Sequence, residues 1–202
     1  MTAARSRVPF AEAARTLLRA TLLDAAGDLL RERAWSGVTM ADVAAAAGVS
    51  RQTLYKEFGS RQGFAQEYIL RETDRFLTAV EAAIAAHVAE PERALAAAME
   101  VFLTSAAAEP LIKAIVAGDD DGLLGLVTNR AGPVLSGATA RLADCLITSW
   151  PTASAPDLRF VAENLVRLAV SHAASPSGTA AHTARAVSAV FGPYLESLGA
   201  QG

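Results

Sequence analysis

Apolar residues recur along this chain at steps of three and four, and no stretch alternates apolar with polar side chains long enough to read as a strand. A period near 3.6 gathers such residues on one face of a helix, so the expected fold is all-α. Composition agrees: Ala, the strongest helix former, is abundant. With 202 residues, 52% of them hydrophobic, the chain has material for one large core or two smaller ones. Its single cysteine, Cys145, cannot form an intrachain disulfide, which points to a cytoplasmic protein. The N-terminus lacks the apolar core of a signal peptide, and no apolar run of about 18 residues is present to span a bilayer, so no membrane partner is expected.

Helix boundaries can be read from the punctuation. Leu18, Leu22, Ala25 and Leu29 form one stripe on a first helix of about residues 12–34, ended by Trp35, Ser36 and Gly37. Thr39 followed by Asp42 has capping-box spacing, so a second helix begins at Met40. Gly48 suits the left-handed turn that closes this helix near Ala47, and Ser50 is a good N-cap for a third over Arg51–Phe58. Leu54 and Phe58, four apart, point inward and leave Arg51, Gln52, Thr53 and Lys56 outside. Gly59 ends that helix and Ser60 starts a long fourth one. Pro91, Pro110, Pro133 and Pro156 each suit a first helical turn. They suggest helices at about 91–108, 110–117, 121–130, 132–149, 156–174 and 179–198, giving nine or ten in all, with a bend at Gly192–Pro193.

Charge is unevenly spread. Residues 1–62 hold nine basic and six acidic residues, net +3, whereas residues 63–202 hold nine and fifteen, net −6. A basic end on an acidic body suits a protein that meets an anion with one part only. Two short helices joined by a tight glycine turn, the second with a polar and basic outer face, are a helix-turn-helix by physical description: the first braces and the second enters a major groove.

The run TMADVAAAAGVSRQTLYKEFGSRQGF, Thr39–Phe64, resembles the DNA-binding signature of the tetracycline-repressor (TetR) family of bacterial regulators. The small residues, the turn Gly, the N-cap Ser and the Leu-Tyr-x-x-Phe pattern occur in the family's order. The resemblance implies a three-helix DNA-binding domain over residues 1–62 and a helical ligand-binding and dimerisation domain over 63–202. It implies that Arg51, Gln52 and Thr53 face base edges, that Tyr55, Lys56 and Arg61 contact phosphates, and that Thr39 caps the second helix and adds a phosphate contact. It further implies a homodimer on a palindromic operator, with a small-molecule effector that tilts the fourth helix. An N-terminal extension carrying Arg5, Arg7, Arg15 and Arg19 departs from the family, as an arm reaching toward DNA or as a solvated tail.

In the remaining helices, Leu158, Val161, Leu165 and Leu168 make one stripe, and Val187, Val190, Phe191 and Tyr194 another. Both are expected at the dimer interface, although the same stripes fit a core within one subunit. Met99, Phe102, Leu103, Leu123, Leu126, Val127, Cys145, Phe160 and Asn164 are candidate effector contacts, and their lack of charge favours a lipophilic ligand. No cofactor or metal is expected. Asp119, Asp120 and Asp121 have no partner Glu at EF-hand spacing, and His87, His172 and His182 lack zinc-site spacing. No Gly-rich phosphate loop or nucleophile elbow is present, so no catalytic residue is assigned. A pocket-containing enzyme, or a helical protein-interaction module, are the competing readings; the second leaves the basic short helix unexplained.

Overall fold

The computed structural model describes residues 9–109 and 132–199. Among these residues there are eight α-helices: α1 (Phe10–Glu32), α2 (Met40–Ala46), α3 (Arg51–Phe58), α4 (Arg61–Ala85), α5 (Pro91–Ala108), α6 (Gly132–Ser149), α7 (Ala155–Ala174) and α8 (Ala180–Gly199). A single 3-10 turn, Trp35–Gly37, precedes α2. The helices expected at 110–117 and 121–130 lie outside the described residues, as do Leu123, Leu126, Val127 and Asp119–Asp121. Among the described residues there is no strand, and no helix is long and apolar enough to cross a membrane. The chain divides into two compact units, Met1–Tyr68 and Ile69–Gly202, with the division inside α4.

In the first unit α1 packs on α2, and α2 on α3. The buried stripe of α1 is Leu22, Ala26 and Leu30, flanked by Leu23 and Ala25, with Leu18 and Leu29 only half-buried. The stripe is therefore turned by about one residue from the sequence expectation. Leu22, Val38, Val43, Leu54 and Phe64 are inaccessible to solvent and form the centre. Each such side chain contributes roughly 1.5–3 kcal/mol by leaving water. Trp35 stacks against Phe64 at 6.5 Å between ring centroids, and Phe58 meets Phe64 edge-on at 4.8 Å. Gly63 permits this join between α3 and α4: a Cβ there would lie 2.4 Å from the Phe58 carbonyl oxygen.

In the second unit α5 packs along α8 and α6 along α7, while α7 also touches α5. The core includes Val80, Ile84, Leu95, Leu146, Leu158, Val161 and Leu165. Leu158, Val161, Leu165 and Val187, expected to meet a partner subunit, are buried in their own subunit, and Leu168 and Phe191 pack against the same core. An amphipathic stripe records only that something covers it, and here the cover is intramolecular. Val190 and Tyr194, from the same expected stripe, remain exposed at 69% and 38%.

The α5–α8 approach depends on one missing side chain. A Cβ at Gly192 would stand 2.5 Å from Cβ of Glu92 and 2.9 Å from its Cα. Pro193 follows without ending the helix: α8 runs through it to Gly199 although proline supplies no N–H to the preceding turn. On the other side, Arg141 of α6 clasps α4. It donates to both carboxylate oxygens of Glu81 at 2.6 and 2.9 Å, to Asp74 at 2.6 Å and to the Thr78 hydroxyl at 3.0 Å. Trp150 closes the end of α6 by donating from Nε1 to the Val88 carbonyl at 3.1 Å. Gly192→Val should lower stability by about 1–3 kcal/mol, the usual cost of forcing extra carbons into a close-packed contact, as read by urea unfolding; an unchanged midpoint would show that α5 and α8 can separate freely.

Candidate nucleic-acid interface and effector cavity

The two short helices are set by their caps. Thr39 begins α2 with a complete capping box: the Asp42 amide donates to the Thr39 hydroxyl at 3.1 Å, and the Thr39 amide donates to the Asp42 carboxylate at 2.9 Å. The Thr39 hydroxyl also donates to the same carboxylate at 2.8 Å. These bonds hold the Asp42 carboxyl below its ordinary pKa, the backbone amide of Thr39 contributing most. Gly48, at φ +70°, turns the chain out of α2, and Val49 N–H bonds back to the Ala44 carbonyl at 2.9 Å. Ser50 then caps α3, accepting from the Thr53 amide at 3.1 Å and sharing a 2.8 Å hydrogen bond with the Thr53 hydroxyl.

On α3 the side chains are sorted by direction. Leu54 and Phe58 are buried, while Arg51, Gln52 and Lys56 are exposed and Thr53 and Tyr55 half-exposed. The Arg51 guanidinium lies over the Tyr55 ring at 5.3 Å and reaches its hydroxyl at 3.4 Å. The Thr53 hydroxyl is shared with Ser50, and the side chain also carries a methyl group. Arg51, Gln52, Thr53, Tyr55 and Lys56 are thus brought together on one short helix. Arg61 is not used in the same way: it donates to the Trp35 carbonyl at 2.7 Å and its guanidinium covers the Trp35 ring at 4.8 Å. That arrangement ties the start of α4 to the turn before α2.

Sequence reading missed what holds α3 from behind. Glu57, only 11% exposed, accepts from Arg15 Nε at 2.7 Å and lies 3.9 Å from Arg19, which also donates to the Glu57 carbonyl at 2.8 Å. Arg19 sits over the Phe58 ring at 4.3 Å and pairs with Glu67 at 3.0 Å. Arg15 and Arg19 therefore belong to α1 as braces and not to an arm, while Arg5 and Arg7 lie outside the described residues. The only acidic side chain on α3 is neutralised on its inner side, which leaves a basic outer face.

In the second unit a cavity of about 80 Å³ is bounded, among the described residues, by α4, α5, α6 and α7. Met99 and Phe102 line it, together with Thr73, Phe76, Val80 and Leu142, and Leu165 lines it from α7. Leu103 is buried but lines a different hollow. Cys145 packs half-buried against the core, where burial raises its thiol pKa. Phe160 is 58% exposed and Asn164 donates to the Phe160 carbonyl at 2.8 Å, so both lie on the outer face of α7 and away from the cavity. The i,i+4 spacing of Phe160 and Asn164 could not say which face they share.

A capped helix-turn-helix with a polar, basic second helix, followed by a separate helical unit, defines a DNA-binding protein of the helix-turn-helix class. Residues 22–68 match the family model described as bacterial regulatory proteins, tetR family, and residues 90–193 match that of the bacterial tetracyclin repressor C-terminal domain. The HTH-type transcriptional regulator AlkX of Mycobacterium tuberculosis is 39% identical over 194 residues, covering 96% of this chain and 92% of its own. The crystal structure of the TetR family repressor AlkX from a Dietzia strain, implicated in biodegradation of n-alkanes, is similar with a TM-score of 0.68. It is 40% identical and covers 88% of this chain and 97% of that one. A putative TetR-family regulator from Mesorhizobium loti, 18% identical with a TM-score of 0.66 over 91% of this chain and 97% of its own, shares the fold. The chain belongs to the TetR family and is a DNA-binding transcriptional regulator.

The sign of the Asp42 effect fixes a pH dependence. Its carboxyl is held below the ordinary value in the folded state, so the cap's contribution is present above that value and is lost as pH falls through the folded-state one. Asp42→Ala should lower the thermal midpoint at neutral pH and flatten its fall as the pH drops below the ordinary carboxyl range. A variant that keeps the full acid dependence of the parent would remove the capping box as its source.

Proposed function

We propose that this protein is a homodimeric, cytoplasmic repressor that reads a palindromic operator with α3 of each subunit and leaves it when a lipophilic small molecule fills the second unit's cavity. The observation that carries the reading is the sorting of α3: Leu54, Phe58 and Glu57 are held inside, and Arg51, Gln52, Thr53, Tyr55 and Lys56 are left to meet DNA. Arg51 can donate to two acceptors on guanine, Gln52 can both donate to and accept from adenine, and the Thr53 methyl can touch thymine. Tyr55 and Lys56 suit phosphates, which fix register without carrying sequence information.

One eight-residue helix reads too few base pairs to be specific, and two of them about 34 Å apart would enter successive major grooves. The exposed Phe160, Val190 and Tyr194 supply a face for the second subunit. Tyr194 donates to Asp157, one turn before Phe160, at 3.1 Å, so the exposed residues of α7 and α8 adjoin. A ligand that prefers the released shape a hundredfold supplies about 2.7 kcal/mol, enough to switch occupancy over a concentration range. The cavity's apolar lining and the alkane-related role of the Dietzia relative both support an aliphatic effector.

Selection of genomic fragments by the purified protein, followed by sequencing, should enrich one palindrome; no enrichment with or without aliphatic compounds would remove the reading. On that site Gln52→Ala should relax preference at one base pair by about 1–3 kcal/mol, and Tyr55→Phe should weaken all sequences alike, both measured by gel retardation on a substitution series. Val190→Asp, at a position already exposed, should give the monomer mass in sedimentation at micromolar protein while leaving the helical spectrum unchanged. A dimer mass for that variant would move the interface elsewhere.

A further inference from the structure

Among the described residues Thr73 on α4 is the one polar side chain in the cavity's lining of Phe76, Leu77, Val80, Met99, Phe102 and other apolar residues, and its hydroxyl is buried with no hydrogen-bond partner among them. Other helical threonines of this chain do not leave the hydroxyl in that state. Thr16, Thr21, Thr139 and Thr148 each donate to the carbonyl four residues back, at 2.9–3.0 Å. That local bond is the ordinary resting place for a threonine within a helix, and a buried hydroxyl without any partner is costly. We propose that the cavity takes an aliphatic molecule bearing a single uncharged oxygen, and that the Thr73 hydroxyl bonds that oxygen and so selects for it. This rests on the reading of the cavity as the effector site.

The rest of the lining decides the class. Among the described residues no charged side chain lines the cavity, and an unpaired carboxylate there would lose its hydration without compensation. Arg141, on the neighbouring α6, already serves Glu81, Asp74 and Thr78. Arg71 and Arg75, two residues either side of Thr73, point to other faces of the helix and meet Glu72. The rest of the lining is hydrocarbon, supplied by Val80, Leu142 and Leu165 among others, which suits an aliphatic body on the ligand.

The test uses the full chain and its Thr73→Val variant, a change close to isosteric, with 1-octanol and octanoate titrated by calorimetry and n-octane by headspace partitioning. The parent should bind 1-octanol about three- to tenfold more tightly than n-octane, one neutral hydrogen bond's worth, with octanoate weakest. Thr73→Val should lose the alcohol's advantage and keep or improve its affinity for n-octane. Without ligand it should melt at or above the parent temperature, because an unpaired hydroxyl has been removed. An alcohol preference that survives in Thr73→Val, a tightest complex with octanoate, or a lower melting temperature for the free variant would each overturn the assignment while leaving the cavity as the effector site. Absence of binding by all three compounds to the parent would overturn the cavity reading itself, and the Thr73 assignment with it.

Discussion

What α3 offers to DNA depends on how its opposite side is held. The helix has eight residues and could not persist alone, since isolated helices much shorter than about 12–15 residues are marginal in water. Its order comes from Leu54 and Phe58, which enter an aromatic cluster with Phe64 and Trp35, and from Ser50 and Gly59 at its ends. Gly63 lets the first turn of α4 close over Phe58, and Arg61 ties that turn to the Trp35 carbonyl. Removing any of these would loosen the presentation of Arg51 and Gln52 without touching either one.

Electrostatic sorting is the second half of the same arrangement. A carboxylate on a DNA-facing helix would oppose phosphate, and Glu57 is kept from doing so by its position. It lies on the α1 side of α3, where Arg15 and Arg19 meet it. With Glu57 paired inside, Arg51 and Lys56 are the charged side chains that α3 leaves on its outer face. Arg19 does several things at once, since it also covers Phe58 and reaches Glu67. Partial burial makes these contacts less open to salt screening than the exposed pair of Arg31 with Asp28.

Local chemistry was legible in the sequence and long-range partnership was not. Pro91 at a first turn, the Thr39–Asp42 box, Gly48 and Ser50 each act over four residues or fewer, and the helices they bound fall where their spacing puts them. The brace between Arg15 and Glu57 spans 42 positions, and the clasp of Arg141 on Asp74 spans 67. No periodicity announces such pairs. The stripes on α7 and α8 had a different difficulty. Leu158 and Phe160 are two residues apart on the same helix, one inaccessible and one more than half exposed, and apolar character alone does not separate the core from a surface awaiting a partner. Gly192 was readable as a helix weakness but not as the point where α5 passes, since that needs the Glu92 backbone in view.

α4 contributes to both units, with Phe64 in the core of the first and Thr73, Phe76, Leu77, Val80 and Ile84 lining the cavity of the second. Its second half is divided lengthwise. The cavity residues recur at helical spacing on one side, while Asp74, Thr78 and Glu81 lie together on another and are fastened to α6 by Arg141. A ligand entering the cavity would press on the first side, and the clasp on the second resists separation of α4 from α6. Arg141 thus joins α4 to α6 although it lines neither the cavity nor the outer face of α3.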